Sequence, residues 1–182
     1  SMPPTFYTPS YPSSYVKFVG ALFDDTPEEH VETPLTRWVS SKPAHSIVYG
    51  AFGSTSVIPH DRMRSLVAGL AAFLLQTEHS YLLLALRNVN YDTYLAVLDE
   101  LPDGQLAHVL TNTGRVRIEN GFVPQKWILQ QQSVKIFISH CGMGSCLEGL
   151  YCHKPILCMP FHMEQFTNAM RVDPLAVGRS PL

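Results

Sequence analysis

Tyr81 to Leu86 reads Tyr-Leu-Leu-Leu-Ala-Leu, a strand-length run with no residue suited to a wet face. A strand with one solvated side alternates apolar and polar residues. An unbroken apolar strand is buried on both sides, as happens in a parallel sheet covered by helices. Ser46–Phe52, Val134–Ser139 and the shorter Ile156–Met159 are further predicted strands, and Val116–Val123 is strand-like despite its charges. Between them, His60–Gln76 carries Met63, Leu66, Val67, Leu70 and Leu74 at helical spacing. Tyr91–Leu101, Pro124–Gln131, Ser145–Cys152 and Met163–Val172 are predicted helices, with Pro102-Asp103-Gly104 stopping the first of these. Thr33-Pro34 marks an earlier helix start, with Thr as N-cap, Pro at the first helical position, and Leu35, Trp38 and Val39 on one face. Strands alternating with helices through short loops predict a doubly wound α/β fold with a mainly parallel sheet, whose ligands bind at the carboxyl ends of the strands.

A chain of 182 residues, 46% of them hydrophobic, can bury one core, so residues 15–182 are expected to form one domain. Residues 1–14 precede it: Ser1 reads as an expression scar, and the Pro-, Ser- and Tyr-rich stretch after it as a linker or extended arm. The net charge of −2 leaves no electrostatic footprint for nucleic acid or anionic lipid, so a bound phosphate must be held by local amides and a few side chains. No apolar run approaches the roughly 20 residues of a membrane span, which fits a cytoplasmic location or a full-length protein associated with a membrane by other means. Cys141, Cys146, Cys152 and Cys158 lack the Cys-x-x-Cys pairs of common zinc sites and read as small buried thiols. No metal or cofactor is expected.

The chemistry concentrates between Phe122 and Gln165. Strand Val134–Ser139 runs into His140-Cys141-Gly142-Met143-Gly144-Ser145 and then a helix. A strand, a glycine turn and a helix start bring free amides and the positive end of a helix dipole together, which suits a phosphate. Gly142 and Gly144 allow close backbone approach, while Ser145 and His140 can each donate a hydrogen bond. Two better-known phosphate loops do not fit. The dinucleotide fingerprint needs glycine where Leu147 stands, and the P-loop needs lysine where Leu150 stands. Glu148 follows Ser145 on the same helix face. It is either a solvent-facing carboxylate or an acceptor for two neutral hydroxyls, such as a ribose diol.

Together these residues resemble the donor-binding signature of UDP-dependent glycosyltransferases of the two-domain B type (GT-B), without a gap from Phe122 to Gln165. The resemblance implies the Rossmann-like carboxyl-terminal half of such an enzyme. It implies that Phe122 stacks on uracil, that Val123 and Gln125 contact the nucleoside, and that Glu148 holds the ribose. It assigns the diphosphate to His140, Gly142, Met143, Gly144 and Ser145, and the sugar hydroxyls to Glu164 and Gln165. Upstream, Ser46–Ser54 is similar to the first strand and phosphate loop of that domain, which adds Gly53 and Ser54 to the phosphate site; Tyr15–Leu22 resembles its entering strand. The sequence departs from the pattern at Phe122, usually Trp, and at Met143 and Gly144, where many plant members have Trp and Asn.

The resulting expectation is a UDP-sugar-binding domain of an inverting transferase that delivers a hexose, glucose first, to a hydroxyl-bearing small molecule or lipid. The acceptor and its general base are expected in an amino-terminal domain outside this chain, so no catalytic residue is assigned here and the chain alone is expected to be inactive. The alternative is a non-catalytic donor-binding subunit that acts with a separate acceptor-binding protein. For Glu164 the alternative is a first-turn residue that complements the dipole of its own helix.

Overall fold

The computed structural model describes residues 31–101, 104–172 and 178–179; the arm at 1–14, the segment Tyr15–Phe23 and most of the acidic run after it lie outside them. Strands β1 (Ile47–Ala51), β2 (Tyr81–Leu86), β3 (Val116–Asn120), β4 (Val134–Ser139), β5 (Ile156–Cys158) and β6 (Gly178–Arg179) form one sheet. Their order is β3-β2-β1-β4-β5-β6, with every pair parallel. The chain winds outward from β1 in one direction to β3, then returns to β4 beside β1 and winds the other way. The crevice for a ligand in such a sheet opens where that direction reverses, between the carboxyl ends of β1 and β4.

Period-two alternation distributes each strand between two cores. Leu82, Leu84 and Leu86 of β2 join one cluster with Met63, Val67 and Leu74 of α2 (His60–Gln76). The same cluster takes Tyr94 and Val97 of α3 (Val89–Asp99), and Val109 and Leu110 of α4 (Gly104–Thr111). Leu83 points the other way, into a cluster with Tyr49, Phe137, Leu35 and Val39 of α1 (Pro34–Ser40), and Ile128 and Leu129 of α5 (Gln125–Gln130). Cys146 of α6 (Met143–Tyr151) and Ala169 of α7 (Met163–Val172) complete that side. Thr33 caps α1 as expected, in a reciprocal capping box with Thr36.

Three element boundaries differ from the sequence expectation, the first two of them at the site. β3 ends at Asn120 rather than Val123, because Gly121 turns the chain with φ 154° and puts Phe122 in a loop. α6 begins at Met143, two residues before the expected start, so residues 143–145 belong to its first turn rather than to the preceding loop. Gly104, expected to end a helix, instead opens α4, for which the sequence reading assigned no element. The two-residue β6 was also unassigned; it pairs with β5.

Candidate nucleotide site

At the carboxyl ends of β1, β2 and β3 the structure has a cleft of about 220 Å³. Phe122, Val123, Gln125, Gly53, Ser54, Ser145 and Glu148, all assigned from sequence, line it together with Tyr49, Ala51, Ala85, Arg87 and Gly121. Residues far apart in the chain therefore converge because the parallel strands end on one edge. Phe122 presents its ring almost entirely to solvent, at 83% exposure. Val123 tucks its side chain against the core.

Gln125, Glu148 and Ser145 form a small network on the cleft floor. The Gln125 amide nitrogen donates to Glu148 Oε2 at 2.7 Å and reaches Ser145 Oγ at 3.2 Å. Its Oε1 accepts from the Tyr49 hydroxyl at 3.4 Å. The Tyr49 ring stacks on Phe137 at 5.3 Å between centroids. Burial, aided by the Glu148 charge, holds the Tyr49 phenol well above its ordinary range, so it stays protonated and remains a donor. This fixes which way the Gln125 amide points and steadies the Glu148 carboxylate, which lines the cleft.

His140 follows β4, beside the Gly53 turn after β1. The imidazole is buried between two glycines: a Cβ on Gly53 would lie 2.6 Å from Nε2, and one on Gly142 would lie 2.4 Å from it. Gly53 also has φ 73°, which favours glycine. His140 Nδ1 is buried and has no hydrogen-bond partner. Burial lowers the imidazole pKa, opposed by the nearby Ala51 carbonyl and the Glu164 carboxylate and assisted by His162. The Ala51 carbonyl favours the charged ring without a hydrogen bond of ordinary geometry. Next to this ring, Gly142 is the N-cap of α6 and no side chain caps the helix start. Amides of Met143, Gly144 and Ser145 thus stand at the positive end of the helix, with the Nε2 edge of the imidazole against Gly142.

The turn that sets this geometry is strained at Cys141, a non-glycine with φ 62°. Ser139 Oγ accepts from the Cys141 amide at 3.1 Å, and buried Asn168 of α7 donates to the Cys141 carbonyl at 3.0 Å. These two bonds over-determine the conformation. Cys141 Sγ lies within hydrogen-bond reach of Cys146 and Cys158, and the first of these contacts, with burial, pushes its pKa up to about 12. Cys141, Cys146 and Cys158 are buried as expected and pack behind the turn, whereas Cys152, at the end of α6, is only partly buried.

Glu164 and Gln165 lie outside the cleft lining. Glu164 is exposed in the first turn of α7. Gln165 is buried: its Oε1 accepts from the amides of Phe161 and His162 at 2.8 and 3.0 Å, and its Nε2 donates to Ser56 Oγ at 3.1 Å. Buried Asn90 of α3 holds the same loop from the other side, accepting from the Ile58 amide and donating to the Ser56 carbonyl, both at 2.8 Å. Tyr49, Arg87, Asn90 and Asn168 were not singled out in the sequence. Arg87 had the clearest signal, as a cation directly after an apolar strand in a sheet that binds ligands at that end.

A doubly wound parallel sheet with an uncapped helix start at its point of reversal is an architecture on which α/β proteins bind nucleotides. Residues 4–178 match the family described as "UDP-glucoronosyl and UDP-glucosyl transferase", and the chain belongs to that family. Its parallel α/β sheet matches the GT-B architecture of solved glycosyltransferases. Flavanone 7-O-glucoside 2''-O-beta-L-rhamnosyltransferase of Citrus maxima is 32% identical over 94% of this chain and 36% of its own length. Abscisate beta-glucosyltransferase of Phaseolus angularis is 31% identical over 72% of this chain and 27% of its own. Among solved structures, a UDP-glucosyltransferase from Polygonum tinctorium aligns with a TM-score of 0.66 at 26% identity, over 84% of this chain and 31% of that one. LpCGTa, solved in complex with UDP, aligns with a TM-score of 0.60 at 28% identity over 80% of this chain and 29% of its own. The chain thus spans about a third of the length of these relatives.

Proposed function

We propose that this chain holds the UDP-sugar donor of an inverting glycosyltransferase and stabilises the departing UDP. The observation that carries the proposal is the buried His140 imidazole, its Nε2 edge against Gly53 and Gly142, beside the uncapped first turn of α6. Helix-start amides and an imidazole nitrogen converging on one spot call for an acceptor that satisfies them together. A diphosphate does so: its oxygens accept from the imidazole, from the first-turn amides and from Ser145 and Ser54. The same donors stabilise charge as the bond from phosphate oxygen to the anomeric carbon breaks. The nucleoside then lies over the cleft floor, with uracil on Phe122 and the ribose diol donating to Glu148, whose carboxylate is steadied by Gln125. An acceptor hydroxyl attacks the anomeric carbon from the opposite face. The base that deprotonates it is assigned to no residue of this chain, and product assays on the chain alone are expected to stay at background.

The sugar end is assigned to Glu164. An exposed carboxylate near His140 suits a neutral hexose, whose hydroxyls donate to it, and disfavours a uronic acid of like charge. Glucose is the first choice; the relatives above carry glucosyl and rhamnosyl names. Glu164→Ala is expected to weaken UDP-glucose several-fold while leaving UDP nearly unchanged in competitive titrations. Equal losses for both ligands would withdraw the sugar assignment and leave Glu164 as a residue that complements the α7 dipole.

A further inference from the structure

Phe122 is an unusual platform for a base because so little of the protein touches it, yet one face is occupied. The Arg87 guanidinium carbon lies 3.7 Å from the ring centroid. Among the described residues Arg87 has no carboxylate partner, and it is the single cation of the cleft lining, with Glu148 the single anion. The backbones that carry the pair are fixed against each other. Leu86 of β2 is in register with Asn120 of β3, and Asn120 Oδ1 accepts from the Asn88 amide at 3.2 Å. Arg87 sits inside that clamp, and Phe122 leaves the other strand two residues after it.

We propose that Arg87 is a positioning residue for the donor base: its guanidinium stacks on one face of Phe122 and holds the ring ready for the base on the other. This rests on the donor-binding reading above. A solvent-exposed phenylalanine without neighbours samples several rotamers, and stopping that motion on binding costs affinity. A planar guanidinium stacked on one face removes much of the cost before the ligand arrives. It also offsets the smaller area that Phe offers in place of the usual Trp. Placement at the β2 and β3 ends favours the base over the diphosphate as the part of the ligand that Arg87 serves. The diphosphate groove, at Gly53 and residues 142–145, belongs to β1 and β4.

The test is a two-by-two comparison on the 182-residue chain: Arg87 or Arg87→Met, combined with Phe122 or Phe122→Ala, titrated with UDP and with UMP at low and high salt. Arg87→Met is expected to weaken both nucleotides by the same factor, about two- to fivefold, with little dependence on salt. In the Phe122→Ala background it is expected to cost nothing further. A loss that is larger for UDP than for UMP, falls with salt and persists without the Phe122 ring would overturn the proposal and make Arg87 a counter-charge for phosphate. Unchanged affinity would remove Arg87 from the site altogether. Should Arg87→Met fail to fold, Arg87→Gln carries the same comparison. If the wild-type chain binds neither nucleotide, the donor-binding reading itself has failed. Binding by wild type without the predicted coupling defeats the Arg87 proposal alone.

Discussion

At the scale of single residues, the site depends on one histidine and the space made for it. His140 occupies the gap left by the missing side chains of Gly53 and Gly142, so the two glycines and the imidazole form one unit although they come from different strand ends. Burial keeps this ring's pKa below its ordinary value. The unfolded chain therefore takes up a proton first as pH falls, and His140 contributes a loss of stability that begins as pH drops through the usual histidine range near 6.5. Urea midpoints at pH 7.5 and 5.5 check this: the wild type is expected to lose more on acidification than His140→Asn. An equal or greater acid loss in the variant would contradict the assignment. The sequence exposed His140, its glycines and Glu148 because turn chemistry and helix spacing are local. Tyr49 was hidden inside a strand, where an aromatic reads as core, and its hydrogen bond to Gln125 spans two elements that only the fold brings together.

At the scale of elements, strands and long helices were readable because their apolar periods are strong, whereas boundaries depended on tertiary context. α4 went unassigned because its apolar positions, Leu106, Val109 and Leu110, make only one short stripe after a glycine. α6 starts at Met143 with Gly142 as N-cap and no side-chain cap, which leaves its first-turn amides open to a ligand. Gln165 is the sharpest case. Resemblance put it on the sugar, while the structure shows its amide tying the start of α7 to the loop at Ser56, which Asn90 anchors from α3. Gln165→Ala is therefore expected to cost about 2 kcal/mol of stability, from buried partners left unsatisfied, and to weaken UDP and UDP-glucose to the same degree. Thermal or urea unfolding together with titration of both ligands measures this. A stable variant that loses only UDP-glucose would return Gln165 to the sugar.

At the scale of the whole molecule, two apolar cores clamp a parallel sheet, and every group proposed to touch the donor sits at its carboxyl edge. The fold class followed from the unbroken apolar run of β2 and the alternation around it. The chain spans about a third of the length of the relatives above, and no helix among the described residues is long and apolar enough to cross a membrane. The central claim, that this edge binds UDP, needs no partner domain and no turnover. Calorimetric titration of UDP into the folded 182-residue chain is expected to give a one-to-one complex of about −4 to −8 kcal/mol, from millimolar to micromolar affinity. Phe122→Ala is expected to weaken it by about 1–2 kcal/mol through lost stacking. A folded sample that takes up no UDP at millimolar ligand would contradict the account.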